Sequence, residues 1–151
     1  MAEFDPYAAF QYDPAPGKDD LLFLPLGGTG EIGMNLNLYG HACKWLMIDC
    51  GVTFGDDNAP GADVIMPDPD FIERRRDNLV ALVLTHAHED HLGAVPYLWK
   101  RLRCPVYATP FTATVLRNKL EQAGLFGEVP LTVIGMSDRF NIAPFDLQLI
   151  T

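Results

Sequence analysis

Residues 85–91 read Thr85-His86-Ala87-His88-Glu89-Asp90-His91, directly after the apolar run Leu79–Leu84. Three of the chain's four histidines fall in this segment. A continuous apolar run ending in polar residues reads as a buried strand that delivers its polar end to a loop. In extended backbone, residues two apart point the same way, so His86 and His88 reach one metal ion together. Asp90 and His91, where the chain turns into a helix, reach a second. Imidazole with carboxylate suits zinc and also manganese. Two such ions side by side hold a bridging hydroxide and clamp a phosphate oxygen. A metal-free, His-rich turn is the bland alternative. Four ligand-type side chains in H-x-H-x-D-H register behind a buried strand outweigh it.

The rest of the chain supplies a frame for that segment. Leu21–Leu26 predicts a strand running into the Gly27-Gly28-Thr29-Gly30 turn. Asn35–Tyr39 and Lys44–Asp49 predict a hairpin turning at Gly40-His41. Residues 51–70 form a long loop rich in Gly, Pro and Asp, of a length that is more often functional than idle. Short helical character follows at Phe71–Arg76. His91–Leu102 predicts a helix modestly disturbed by Pro96, and Phe111–Ala123 one stopped by Gly124. Val106–Ala108, Leu131–Ile134 and Phe145–Ile150 predict further strands. Strands first, then strand alternating with helix, give a layered α/β arrangement with helices packed on a sheet.

Residues 1–20 carry Pro6, Pro14, Pro16 and Gly17 with little apolar periodicity, and read as a flexible tail ahead of one domain over residues 21–151. The chain stops at Thr151 just after an apolar, strand-like run, so we expect it to be the front part of a longer protein. Hydrophobic residues make up 48% of the chain, enough for a core, and no apolar run approaches the roughly 18–20 residues of a membrane span. The acidic N-terminus is not a secretory signal. Eleven Lys and Arg against twenty Asp and Glu give a net charge of −9. That argues against a chain-wide basic surface for nucleic acid and leaves room for a local one. Cys43, Cys50 and Cys104, without C-x-x-C spacing, read as reduced thiols, mostly buried, in a cytoplasmic protein.

The H-x-H-x-D-H pattern is the signature of the metallo-β-lactamase superfamily, and by itself does not choose among that superfamily's lactamases, thioesterases and nucleases. The flanking sequence does choose. The opening Leu26-Gly27-Gly28-Thr29-Gly30-Glu31-Ile32-Gly33-Met34-Asn35 resembles that of the ribonuclease J family. So do Ile48-Asp49-Cys50-Gly51, the segment from Pro60-Gly61-Ala62-Asp63 to Pro67-Asp68, the stretch from Leu84 through His91 to Leu98, and Cys104-Pro105-Val106-Tyr107-Ala108-Thr109. The resemblance runs over nearly all of residues 21–151. It implies an αββα sandwich of metallo-β-lactamase type, of which this chain holds the first half. It also implies a β-CASP-group nuclease that degrades RNA from a 5′-monophosphate end and also cuts internally, as in rRNA processing and mRNA decay. Further implications are two zinc ions per complete site with manganese as the alternative, a cytoplasmic location, a homo-oligomer at full length, and no membrane or DNA partner. By the same resemblance His86 and His88 hold one metal, Asp90 and His91 the second, and Asp49 stands beside them orienting a histidine. The bland reading of Asp49 is a turn residue at a strand end. The glycine-rich turn has two equal readings: a tight turn, or a loop whose backbone at Gly28 and side chain of Glu31 line the site's entrance.

The family needs ligands that this chain lacks: a third histidine for the first metal, a bridging aspartate and another histidine for the second. His41 falls in the expected hairpin turn and is expected at the surface. Asp138 and Asp146, in a turn and a strand, do not match the bridging position. The chain therefore reads as half a metal site on half a fold, inactive by itself. Two alternatives stand beside this reading. One is a hydrolase of small esters or thioesters, against which the glycine-rich opening and residues 60–68 argue. The other is a truncated, non-catalytic chain that binds a partner through exposed strand edges.

Overall fold

The structure, a computed structural model, describes residues 15–55 and 61–150. Ten strands and four helices follow one another. They are β1 (Leu22–Gly27), β2 (Leu36–His41), β3 (Lys44–Ile48), β4 (Thr53–Phe54), β5 (Val64–Ile65), α1 (Asp70–Glu73), a 3-10 turn at Arg76–Asn78, β6 (Leu79–Leu84), α2 (Glu89–Leu92), α3 (Val95–Leu102), β7 (Val106–Ala108), α4 (Pro110–Gln122), β8 (Leu131–Val133), β9 (Arg139–Ile142) and β10 (Phe145–Gln148). Six strands form one sheet in the order β1-β2-β3-β6-β7-β8. The first three pair antiparallel, and β6, β7 and β8 extend the sheet in parallel from β3. The expected α/β layering is present.

Alternation along the strands divides the core. Leu36, Leu38, Trp45, Met47, Leu82, Leu84 and Val106 face the helices and pack with Leu98, Leu102 and Leu116. Leu46, Ala81 and Val83 face the other way, against Ile142 and Phe145 of the β9–β10 hairpin. A register shift opposite Trp45 and Leu46 lets Val80 and Ala81 both serve that second face. Leu84 is fully buried and ends β6 one residue before the histidine segment, so the segment leaves from a rigid base.

Several local features differ from the sequence reading. The hairpin turns at Ala42-Cys43, not at Gly40-His41. Both turn residues have positive φ, 47° and 61°, as a two-residue loop matched to strand twist requires. His41 ends β2 half-buried, not solvent-exposed, with Nδ1 2.7 Å from the Asp20 carbonyl and its ring edge toward Phe145. Part of the expected tail is held there too: the Cys43 and Ala42 amides donate to the Pro16 and Gly17 carbonyls at 2.7 and 3.0 Å. Residues 1–14 of that tail lie outside the described residues. The single helix expected over 91–102 is two, broken at Gly93-Ala94. The Ala94 amide donates to Cys50 O at 3.0 Å, and the Asp90 carbonyl that would have received it is taken by Asn35. β9 was not anticipated, although Phe140 and Ile142 alternate as a strand's inward residues do. Among the described residues no helix is long and apolar enough to cross a membrane.

All three cysteines are free thiols. Burial pushes Cys104 up to about 12 and raises Cys50 as well, where the neighbouring Cys104 and Asp49 add to the effect. Cys43 is exposed on its turn. Alkylation of the native chain with iodoacetamide is therefore expected to modify Cys43, and to reach Cys50 and Cys104 after denaturation, as read by peptide mass spectrometry.

Candidate metal centre

β6 delivers Thr85 at its C-terminal end, the chain bends at Ala87, and His88 is the extended N-cap of α2 (φ −73°, ψ 151°). His86 and His88 stand side by side across that bend, with His86 Nε2 3.1 Å from His88 Nδ1. α2 turns the chain back, so the His91 ring lies 3.9 Å, centroid to centroid, from that of His86. Asp90 Oδ2 stands 3.2 Å from His91 Nε2. The four side chains expected at the site are in one cluster.

Asp49 anchors the cluster from below. It follows β3 in left-handed backbone (φ 64°), which Asp tolerates better than most residues, and it is 4% exposed. Its carboxylate accepts the Thr85 amide at 2.8 Å, the Thr85 hydroxyl at 2.9 Å and His91 Nδ1 at 2.8 Å. His91 gives its Nδ1 proton to Asp49 and keeps Nε2 bare. Thr85 spends its one proton on Asp49, so its oxygen accepts from His86 Nδ1 at 2.9 Å, leaving His86 Nε2 bare. Burial lowers the His86 pKa, as do its neighbours His91 and His88, against the opposing pull of Asp49 and Asp90. The neutral imidazole is the form that binds metal.

Two further residues, present in the sequence motifs but given no role there, complete the frame. Asn35 donates its amide to Asp90 O at 2.9 Å, and its Nδ2 to the same oxygen at 3.0 Å and to Asp90 Oδ2 at 3.4 Å. Gly51 donates to Asn35 O, and a Cβ there would overlap the Asp90 carbonyl. An Asn at a strand start is no signal until the tertiary partner is known. Gly28, at φ 84°, lies so close to the Asn35 side chain that a Cβ would collide with it, so the glycine-rich turn abuts the site through Asn35. Glu31 is exposed and outside the cluster; it accepts the Gly28 amide at 3.0 Å and closes its own turn. Asp138 likewise caps Gly135 N, and Asp146 pairs with Asn141.

The donor set fits a metal in pairs. Neighbouring ligands on a tetrahedral zinc with bonds of about 2.0–2.1 Å sit about 3.4 Å apart. His86/His88 and Asp90/His91 are spaced at 3.1 and 3.2 Å, close to that edge length. Among the described residues no group of three or more His, Cys, Asp or Glu is arranged to hold an ion. Each pair is an incomplete ligand set.

Fold and cluster define a class. Residues 35–145 match the metallo-beta-lactamase superfamily model, and the chain belongs to that superfamily. The architecture is shared with the Rm3 metallo-beta-lactamase (TM-score 0.54, 20% identity, 83% of this chain and 47% of that one). It is shared too with a B3 metallo-beta-lactamase carrying an active-site glutamic acid (TM-score 0.51, 18% identity, 86% and 49%). In sequence the chain is similar to ribonuclease J: 48% identical over 136 residues to that of Sinorhizobium meliloti, covering 87% of this chain and 24% of the relative. Ribonuclease J of Mycolicibacterium smegmatis is 46% identical over 109 residues, and that of Helicobacter pylori 37% over 108, covering 19% and 16% of their lengths. The chain thus spans a quarter or less of these relatives.

Asp49→Asn keeps size and tolerates the left-handed backbone, yet puts an amide where the carboxylate took three hydrogen bonds. It is expected to weaken zinc binding by about 10–100-fold, as loss of such a supporting partner does. Titration against a competing chelator measures it. Gly51→Ala is expected to lower the thermal midpoint of the chain through its overlap with Asp90, read by circular dichroism.

Proposed function

We propose that this chain carries the leading ligands of the metal centre of an RNA hydrolase of ribonuclease J type, acting on RNA with a 5′-monophosphate end, both from that end and internally. The observation that carries the reading is the clustering of His86, His88, Asp90 and His91 over a buried Asp49 in a chain 48% identical to a ribonuclease J. His86 and His88 hold one ion, zinc or manganese. Asp90 and His91 hold the second. Bound there, such ions supply a water of lowered pKa and stabilise charge on phosphate oxygens. The chain's own residues do the positioning. Asp49 keeps the Nδ1 proton on His91, Thr85 keeps that of His86, and Asn35 fixes the main chain at Asp90. The full protein is a cytoplasmic homo-oligomer on this reading, and residues 21–151 are the first part of its catalytic domain.

With each ligand pair incomplete, the isolated chain is expected to hold fewer than two zinc ions tightly, and His88→Ala to remove most of what it holds, by elemental analysis after dialysis. Its degradation of 5′-monophosphorylated RNA is expected to stay at the His88→Ala background. In the chain extended through the remaining ligands, the same substitution abolishes RNA degradation. Hydrolysis of a thioester in place of RNA by that extended chain would overturn the reading.

A further inference from the structure

Charge is unevenly spread in this acidic chain. At the N-terminal edge of the parallel strands, opposite the histidines, basic residues gather. Lys44 enters β3, and its Nζ donates to Asn78 of the turn that enters β6 at 3.1 Å. Arg76 opens that turn. Arg103 ends α3 two residues before Pro105, whose carbonyl accepts the Leu82 amide of β6 at 2.9 Å. Lys44, Arg76 and Arg103 thus each stand at or just ahead of the start of one of three neighbouring strands, β3, β6 and β7. The exposed Asp77 follows Arg76 in the same turn, but the carboxylates of α1 do not neutralise the cluster. Asp70 and Glu73 are engaged by Arg101, and Asp70 also by Arg74 at 3.6 Å. Among the described residues, the exposed Arg76, Lys100 and Arg103 form no ion pair.

α3 links this cluster to the histidine side of the molecule. Lys100 lies one turn before Arg103, whose Nε donates to the Lys100 carbonyl at 3.2 Å. One turn earlier again stands Tyr97, 60% exposed. Residues three apart are neighbours on a helix surface, so Tyr97 and Lys100 share one side of α3, and Arg103, the left-handed residue that ends the helix, folds back onto Lys100. Tyr97 also lines a groove of about 510 Å³ that includes Glu89, a member of the histidine segment, and Lys119, whose Nζ is 2.6 Å from the Glu89 carboxylate. An exposed aromatic ring followed by unpaired cations suits a base and the phosphates after it. The arginine forks suit phosphate in particular.

We propose that this side of α3 is a track for single-stranded RNA outside the metal centre, with Tyr97 stacking a base and Lys100, Arg103 and Arg76 holding phosphates. The choice of RNA over other polyanions rests on the functional reading above together with the aromatic ring. The test is fluorescence anisotropy of the 151-residue chain with a labelled short oligoadenylate RNA across a salt series. Tyr97→Ala is expected to weaken binding about tenfold with the salt slope unchanged. The combined Arg76→Ala, Lys100→Ala, Arg103→Ala variant is expected to reduce the slope by about 2, from three lost phosphate contacts. Zinc content and circular dichroism matching the parent confirm that both variants are folded with the metal ligands intact. Parent-like affinity and slope in both variants, or no RNA binding by the parent, overturns the track. So does competition by polyglutamate or by phosphatidylserine vesicles as effective as RNA, which would make the surface a site for acidic protein or membrane. RNA bound through these residues in a chain whose extended form hydrolyses no RNA supports the track and overturns the functional reading.

Discussion

A buried carboxylate is costly unless its oxygens are satisfied, and Asp49 is satisfied by groups from the two segments that must meet. Thr85 comes from the end of β6 and His91 from α2; Asp49 itself ends β3. Hydrogen bonds to a charged acceptor contribute about 1.5–3 kcal/mol each, so the interaction is strong enough to fix where the strands end relative to the helix. The same bonds set proton positions on His86 and His91. Folding and ligand preparation are therefore one event at this residue: the contact that joins β3 to β6 and α2 also turns two imidazole nitrogens into bare donors.

The sheet shows why this anchor can be rigid. β3 and β6 are neighbours in the middle of six strands, with core on both sides. The helices cover one face. On the other, the β9–β10 hairpin lies across Leu46, Ala81 and Val83, with Phe140 stacked on Tyr107 and Phe145 beside His41. Phe23, on the outer strand β1, touches Tyr39 and is otherwise half exposed. That cover lies over the body of β3, β6 and β7, while Thr85, where the chain leaves β6, is exposed.

Much of this was legible in the residues. The run Leu79–Leu84, the ligand spacing after it and the acidic strand end at Asp49 depend on local pattern, and the structure brings them together. What escaped was decided by contacts between distant segments. A periodic stretch from His91 to Leu102 reads as one helix because nothing local says that Asn35 takes the Asp90 carbonyl and Cys50 takes the Ala94 amide. The hairpin turn shifted by two residues because Ala42 and Cys43 accept a left-handed conformation that their types do not advertise. His41 reads as a surface turn residue until the segment before β1 is seen to fold over it. Glu31 shows the converse: an acidic residue in a glycine-rich loop near a metal motif turns out to close its own turn.

The path of the histidine loop is held by main-chain atoms. Val52 N reaches Glu89 O, Asn35 N reaches Asp90 O, Cys50 N reaches His91 O and Ala94 N reaches Cys50 O, all within 2.8–3.0 Å. None of these atoms depends on which side chain the loop residue bears. At these four bonds shape is independent of chemistry, whereas the contact of His91 with Asp49 ties the two together. A frame of this kind lets selection exchange one donor for another, residue by residue, without re-solving the folding problem each time.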